Sequence, residues 1–479
     1  MPLHKKDDKL NPKNYRPVAI LPVISKILER VIYLQITEYF HENDLLHPNH
    51  HGYRKNHNTT TALLQMYDNW VETDDRGEYS AVCFLDLSAA FDVVDHDRLL
   101  EKLDVYGFDD NSVLWMESYL KGRKQVVYVD GCISGKLDLE AGVPQGSILG
   151  PLMYIIFTND LPEIVHEHLP DSVSEPENSK YNVNCTACGT ISCYADDSTF
   201  SCAGKDPLEM SVFTSEKYSR MADYMTSNKL KLNGDKTHLM VMMNDVARRH
   251  NPEFEVQMNT GQEIIEKSAS EILLGAQISE NLKWNLHIRD GEKSLLKSLN
   301  TRYNALQKIS KVASFKTRKM IGNGIFLSKM IYLIPLWSGC QEELLNSLQV
   351  IMNKAAQAIV KSPEKISNRQ ALHQAGWLSV RQLAAYHTLN MMFKIITTRS
   401  PIYLYWKLCS SFPYRTRFAA NQNIRMGPEF HASNSLTQDS FRWRGSQLWN
   451  TLPASIRMIG SLEHFKLTTR KWVLDNVVF

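Results

Sequence analysis

"SCYADDSTF", residues 192–200, places two aspartates, Asp196 and Asp197, side by side among small and apolar residues. A carboxylate withdrawn from water is costly unless it is paired, protonated or held by a cation. Short runs rich in β-formers flank the pair and predict strand, turn, strand. Neighbouring side chains on a straight strand point to opposite faces, so two carboxylates at one tip fit a hairpin turn. Asp-Asp alone also occurs in exposed turns. A second apolar run, "SAVCFLDLS" (residues 80–88), predicts a buried strand that ends at Asp86. If the two strands are neighbours in one sheet, Asp86 and Asp196 meet at one end. Converging carboxylates repel unless cations hold them. Mg²⁺ suits such a site, because it takes one or two carboxylates plus substrate phosphates, and a pair of ions serves in-line attack on phosphorus.

The bulk numbers set the frame. The chain has 479 residues, 43% hydrophobic and 22% charged, which is ordinary for a globular protein with two or more domains. Its net charge of +2 hides a split. Residues 1–280 carry 26 Lys and Arg against 43 Asp and Glu, and residues 281–479 carry 28 against 9. The basic half suggests a polyanionic partner. The charged N-terminus is no secretory signal, and the longest apolar stretches fall far short of a membrane span. The expected location is intracellular, nuclear or cytoplasmic, with the eight cysteines as free thiols.

Further elements follow from pattern. "ISKILERVIYLQITEYF" spaces Ile24, Ile27, Leu28, Val31 and Ile32 as a helix capped at Ser25. "DHDRLLEKLDVYGF" predicts a helix ending near Gly107, and "RKQVVYVDGCISGKLDLEAG" a hairpin turning at Asp130-Gly131. "GSILGPLMYIIFTNDL" predicts an apolar helix interrupted early by Pro151, then an insertion loop over about 170–192. From Glu292 to about Lys361 the pattern is helical. Cys185, Cys188 and Cys193 have a C-x2-C-x4-C spacing that leaves a weak zinc alternative, with His166, His168 or Cys202 as a fourth ligand.

"FLDLSAAFDVVDH", "GVPQGSILGPLMYIIFTNDL", "YADD" and "NKLKLNGDKTHLM" occur in this order. They resemble the ordered blocks of reverse transcriptases, most closely those of non-LTR (LINE-like) retrotransposons. "NYRPVAILPVISKILERVI" and "HGYRKNHNTTTAL" resemble the preceding fingers blocks, and "LLGAQISENLKWNLHI" the block leading into the thumb. The likeness covers roughly residues 10–340. It implies an α+β right-hand polymerase: fingers and an antiparallel-sheet palm over 1–279, a helical thumb over 280–365, and a basic, mostly helical region over 366–479. No upstream endonuclease is expected within this chain. The implied activity is RNA-directed DNA polymerisation from a primer 3′-hydroxyl. The implied partners are an RNA template, a DNA primer, dNTPs and two Mg²⁺ or Mn²⁺ ions.

The resemblance also assigns residues. Asp86 and Asp196 match the principal metal ligands and Asp197 their neighbour. Lys236 matches a lysine proposed to protonate pyrophosphate, with a surface ion pair as the plainer role. Phe91 matches the aromatic under the sugar that favours deoxynucleotides, and a core Phe is compatible with that. Gly142, Pro144, Gln145 and Gly146 match a loop near the incoming nucleotide and templating base. Arg54 and Lys55 match a fingers position that meets the triphosphate. Ala89 stands where these elements usually carry Lys. The tail interleaves Arg442, Arg444, Arg457, Lys466, Arg470 and Lys471 with Trp443, Trp449 and Trp472. That composition suits nucleic acid or a helical core with a basic rim. Two alternatives stay open: a catalytically silent nucleic-acid-binding remnant or domesticated scaffold, and an RNA-dependent RNA polymerase, which Phe91 disfavours.

Overall fold

The computed structural model describes residues 1–4, 8–87, 90–166, 190–258, 265–409 and 435–477. The chain forms two compact units that do not follow chain order. The first comprises Met1–Asn58, Ala81–Leu239 and Glu255–Lys267, and the second Thr59–Ser80, Met240–Phe254 and Ser268–Phe479. Among the described residues no helix is long and apolar enough to cross a membrane.

The first unit is organised on a five-stranded sheet. Its strands are β1 (Tyr79–Leu85), β2 (Thr190–Tyr194), β3 (Asp197–Gly204), β4 (His238–Met242) and β5 (Glu266–Lys267), in the order β5-β4-β1-β3-β2. β1 lies in the middle and is buried from Ser80 to Leu85, which is why its sequence is a continuous apolar run. β2 and β3 form the expected antiparallel hairpin, with Tyr194 opposite Asp197. The expected hairpin at Asp130-Gly131 is also present. Tyr128–Val129 pairs with Cys132–Ile133, and both turn residues take positive φ, the conformation that Asp-Gly favours.

The helices of this unit are α1 (Val23–Glu42), α2 (His96–Val105), α3 (Leu149–Phe157) and α4 (Pro207–Ser227). Asp95 caps α2 by accepting the Arg98 N–H at 3.0 Å, and Asp206 caps α4 by accepting the Glu209 N–H at 2.7 Å. Lys102 joins three of them. Its ammonium donates to the Phe157 carbonyl at 2.6 Å, to Asp160 at 2.8 Å and to the Tyr224 hydroxyl at 3.1 Å. Each neighbour supplies an acceptor, so the half-buried ammonium is not left unpaired.

Two local expectations are corrected. Ser25 does not cap α1. The cap position is Pro22, and the Ser25 hydroxyl donates to Glu29 at 3.1 Å from within the helix. The apolar spacing of α1 is present but faces outward: Ile24 is 81% exposed and Ile27 62%, whereas the buried residues are Glu29, Ile36 and Phe40. Pro151 does not interrupt α3. It lies in the first turn, where a missing N–H costs nothing. The insertion loop, with Cys185, Cys188 and His168, lies outside the described residues up to residue 189. Cys193 and Cys202 are buried in β2 and β3, and burial pushes their thiols up to about 12 and about 11.

The second unit is mainly helical: the helix Thr59–Asp75, then α5 (Leu295–Ile309), α6 (Glu342–Val360), α7 (Val380–Thr398), α8 (Phe441–Thr451) and α9 (Leu462–Asn476). Thr59–Asp75 is buried along nearly its whole length, from Thr61 to Val71 without a break. The tail supplies part of this core. Phe393 stacks on Phe465 at 4.2 Å, and Trp449 lies 5.9 Å from the same ring. Ser379 and Gln382 close a capping box that starts α7.

Candidate active site

Asp86 follows the last residue of β1 and is held from the segment after α4. The Asn233 N–H donates to the Asp86 carbonyl at 2.9 Å, and Asn233 Nδ2 donates to Asp86 Oδ2 at 3.2 Å. The single turn Gly234–Lys236 then brings the Lys236 ammonium to the same oxygen, also at 3.2 Å. Leu87 bridges Leu232 next to these contacts.

Asp196 and Asp197 stand at the β2–β3 turn. The Tyr194–Asp197 pairing leaves Ala195 and Asp196 as a two-residue loop, and Ala195 takes φ +58°. Few non-glycine residues adopt this conformation, and those that do concentrate at functional turns. Residues 49–51 run beside β2. The Cys193 N–H donates to the Asn49 carbonyl at 2.9 Å, and the His51 N–H donates to the Cys193 carbonyl at 2.8 Å. At Gly52 a Cβ would stand 2.9 Å from the Ala195 nitrogen, so this approach requires glycine.

The charges of Asp196 and Asp86 reach Asp197. Lost hydration, then the charges of Asp196 and Asp86, push Asp197 up to about 6. Burial, followed by the charges of Asp196, Cys193 and Asp197, holds the Tyr154 hydroxyl well above its ordinary range. Tyr154 therefore lies close to the cluster, and its ring packs on Phe91 at 4.6 Å. Among the described residues no three His, Cys, Asp or Glu side chains form a ready-made metal-holding group. The carboxylates are an open, all-oxygen set. Such a set suits a hard divalent ion that keeps water or phosphate among its ligands.

Phe91 also joins the cluster to the Gly142–Gly146 loop. The Val143 N–H donates to the Phe91 carbonyl and the Gly142 N–H to the Val94 carbonyl, both at 2.8 Å. Gly142 has φ +87°, and a Cβ there would meet the Asp92 carbonyl oxygen at 2.7 Å. Pro144 accepts from the Ser147 hydroxyl at 2.8 Å, which closes the loop, and Gln145 Nε2 donates to Asp92 Oδ1 at 2.8 Å. Asp86, Asp196, Asp197, Lys236 and Phe91 are thus connected to one another or to that loop. Arg54 holds its own loop: its Nη1 donates to the carbonyls of His47 and His50 at 2.7 and 3.0 Å. Lys55 is exposed.

A family model described as reverse transcriptase (RNA-dependent DNA polymerase) matches residues 3–278, more than half of the chain. The chain belongs to the reverse transcriptase family. The probable RNA-directed DNA polymerase from transposon BS of Drosophila melanogaster is 24% identical over 384 residues, 79% of this chain and 40% of that protein. The RNA-directed DNA polymerase from mobile element jockey of Drosophila funebris is 38% identical over 153 residues, 32% of this chain and 17% of that protein. These relatives place it with the reverse transcriptases of non-LTR retrotransposons. The chain spans about two fifths or less of their length. Among solved structures, telomerase from Candida albicans in complex with a TWJ fragment of telomeric RNA matches with TM-score 0.41 and 13% identity, over 80% of this chain and 57% of that one.

Several residues around this candidate site carry no motif signal of their own. Asn233 holds Asp86, and within "NKLKLNGDKTHLM" only its place three residues before Lys236 marks it. Tyr154 looked like one more apolar position of α3. Gly52 needed the fold to explain it. Glu29 lies in the apolar first half of α1, whose other acids, Glu38 and Glu42, come nearer its end.

Proposed function

We propose that this chain is an RNA-directed DNA polymerase of a non-LTR retroelement. It extends a primer 3′-hydroxyl with dNTPs on an RNA template. Residues 1–279 supply fingers and palm, 280–365 a thumb, and 366–479 a basic region. The observation that carries this reading is the placement of Asp86, Asp196 and Asp197 at the ends of neighbouring strands, close enough for the charges of Asp196 and Asp86 to act on Asp197.

Asp86, Asp196 and Asp197 would hold two divalent cations, Mg²⁺ or Mn²⁺. Bound there, such ions supply Lewis-acid activation of the primer hydroxyl and charge neutralisation at the leaving pyrophosphate. Asn233 keeps Asp86 in place. Lys236 pairs with Asp86 in the resting site and gives a proton to pyrophosphate once released from that pair. Phe91, backed by Tyr154, fills the space beneath the sugar, so a 2′-hydroxyl clashes and deoxynucleotides are favoured. Gln145 and its glycine-flanked loop face the nucleotide and templating base, and Arg54 and Lys55 belong to the fingers segment that meets the triphosphate.

The test is extension of a primed homopolymer RNA with labelled dNTPs and Mg²⁺ or Mn²⁺. Asp86→Asn and Asp196→Asn keep the side-chain shape and remove the charge. Each should lower extension by about 10³-fold or more, with thermal stability nearly unchanged. Wild-type extension by either variant, free of contaminating polymerase, refutes the assignment. Inactivity of the folded wild-type chain would favour the scaffold reading instead.

A further inference from the structure

The N–H groups at the start of α3 have a complete set of partners, and the principal one comes from another helix. Glu29 Oε2 accepts the Ile148 N–H at 2.7 Å and the Leu149 N–H at 3.3 Å. The Ser147 hydroxyl accepts the Gly150 N–H at 2.8 Å, and Pro151 has none to satisfy. Glu29 is 2% exposed, and its other oxygen accepts from Ser25 at 3.1 Å. A carboxylate at a helix N-terminus is favoured both by its hydrogen bonds and by the helix dipole. That gain explains why α1 turns this acid inward while Ile24 and Ile27 face outward.

The residues just before this anchor are Pro144, Gln145 and Gly146. They are clamped by the same N-terminal segment. The Ala19 N–H donates to the Gln145 carbonyl at 2.7 Å, and a Cβ on Gly146 would meet the Ala19 carbonyl at 3.0 Å. On the other side Asp92 receives the Gln145 amide. Glu29 therefore fixes the far end of the loop, three residues beyond Gln145.

We propose that Glu29 is a positioning residue, fixing the loop that presents Gln145 to the incoming nucleotide. The proposal rests on the polymerase reading above. Loosening the anchor raises the cost of ordering Gln145 when a nucleotide binds, so it acts on KM for dNTP more than on kcat.

The test is steady-state dNTP kinetics for wild type, Glu29→Ala, Glu29→Gln, Gln145→Ala and the Glu29→Ala/Gln145→Ala double variant. Amide exchange at Ile148 and Leu149 is followed in parallel. Glu29→Ala should raise KM roughly tenfold with kcat within about threefold. Glu29→Gln keeps an acceptor oxygen and should recover most of that loss. It also carries the test if the alanine variant does not fold. The double variant should be no worse than Gln145→Ala, because both changes disable the same interaction. The proposal is overturned if the two effects multiply, if both Glu29 variants keep wild-type KM, or if KM is wild-type in Gln145→Ala. Should the folded wild type show no extension, the polymerase reading has failed, and this role fails with it. Faster exchange in Glu29→Ala would then establish the anchor alone, and unchanged exchange would remove that too.

Discussion

At the scale of single residues, burial decides what a charge does. Asp68 is buried in the helix Thr59–Asp75, with Oδ1 unpartnered among the described residues. Its neighbour Glu72 takes the nearby cations instead, pairing with Arg442 and with Lys407 at 3.1 Å. Burial pushes Asp68 up to about 7, Lys407 opposes this, and the Glu72 charge adds to it. The folded chain therefore holds this proton more tightly than the unfolded chain, where an aspartate titrates near 4. The sign follows: Asp68 lowers stability progressively as pH rises from about 4 to about 7, and the loss is complete above that. Asp68→Asn should raise the melting temperature at pH 8, through on the order of a few kcal/mol, and much less at pH 5. An equal effect at both pH values would show that Asp68 does not titrate in this window. None of this was legible in the sequence, where Asp68 is one acid among several on a polar-looking helix. The placement of Asp86, Asp196 and Asp197 at strand ends was legible, because strand ends can be located from pattern.

At the scale of elements, α1 inverts the usual rule. Its periodicity predicted a helix, and the helix is there, but which face is buried was set by partners that pattern does not show. Glu29 is held by the N–H groups of α3, while Ile24, Ile27, Leu28 and Val31 remain at the surface. This orientation makes a quantitative prediction. Ile27→Gln should change unfolding free energy by less than about 0.5 kcal/mol, because the side chain is already in water. Phe40→Ala, on the buried side, should cost about 3–5 kcal/mol through transfer and cavity terms. Denaturant melts of the two variants decide this, and a large loss from Ile27→Gln would mean that the apolar face is covered in solution. The two hairpins were more legible than α1. Asp130-Gly131 demands positive φ at both turn residues, and the β2–β3 turn is fixed by short strands around a two-residue loop.

At the scale of the whole molecule, the charge split suggested a basic half free to meet a polyanion, but much of that charge serves the fold. Arg318 is buried and donates to the carbonyls of Ile359 and Ala313 at 2.7 Å and of Val360 at 3.2 Å. Arg302 donates to the Ile325 carbonyl at 2.9 Å, Arg444 to the Pro335 carbonyl at 3.0 Å, and Arg470 to the Gly376 carbonyl at 2.7 Å. A count of charges cannot separate these from free ones, because the distinction depends on carbonyls left open at helix ends. It also follows that cutting the chain after Ser279 is a poor test of duplex binding. The helix Thr59–Asp75 belongs to the same unit as residues 268–479 and would lose the core that buries it. A better test spares Arg318 and neutralises Lys308, Lys311, Lys316 and Lys319, of which the first three are exposed. Every phosphate that a lysine no longer neutralises should reduce the slope of log K against log salt by about 0.9 on a B-form duplex. The four-lysine-to-glutamine variant should bind a primed RNA template more weakly at low salt and with a flatter slope. Its thermal melt should stay close to wild type, because three of the four lysines are exposed and Lys319 is half-buried. Arg318→Gln should do the reverse, lowering the melting temperature while leaving the salt slope unchanged. Wild-type affinity and slope in the four-lysine variant would remove this stretch from the duplex interface, and the polyanion would have to meet other exposed cations.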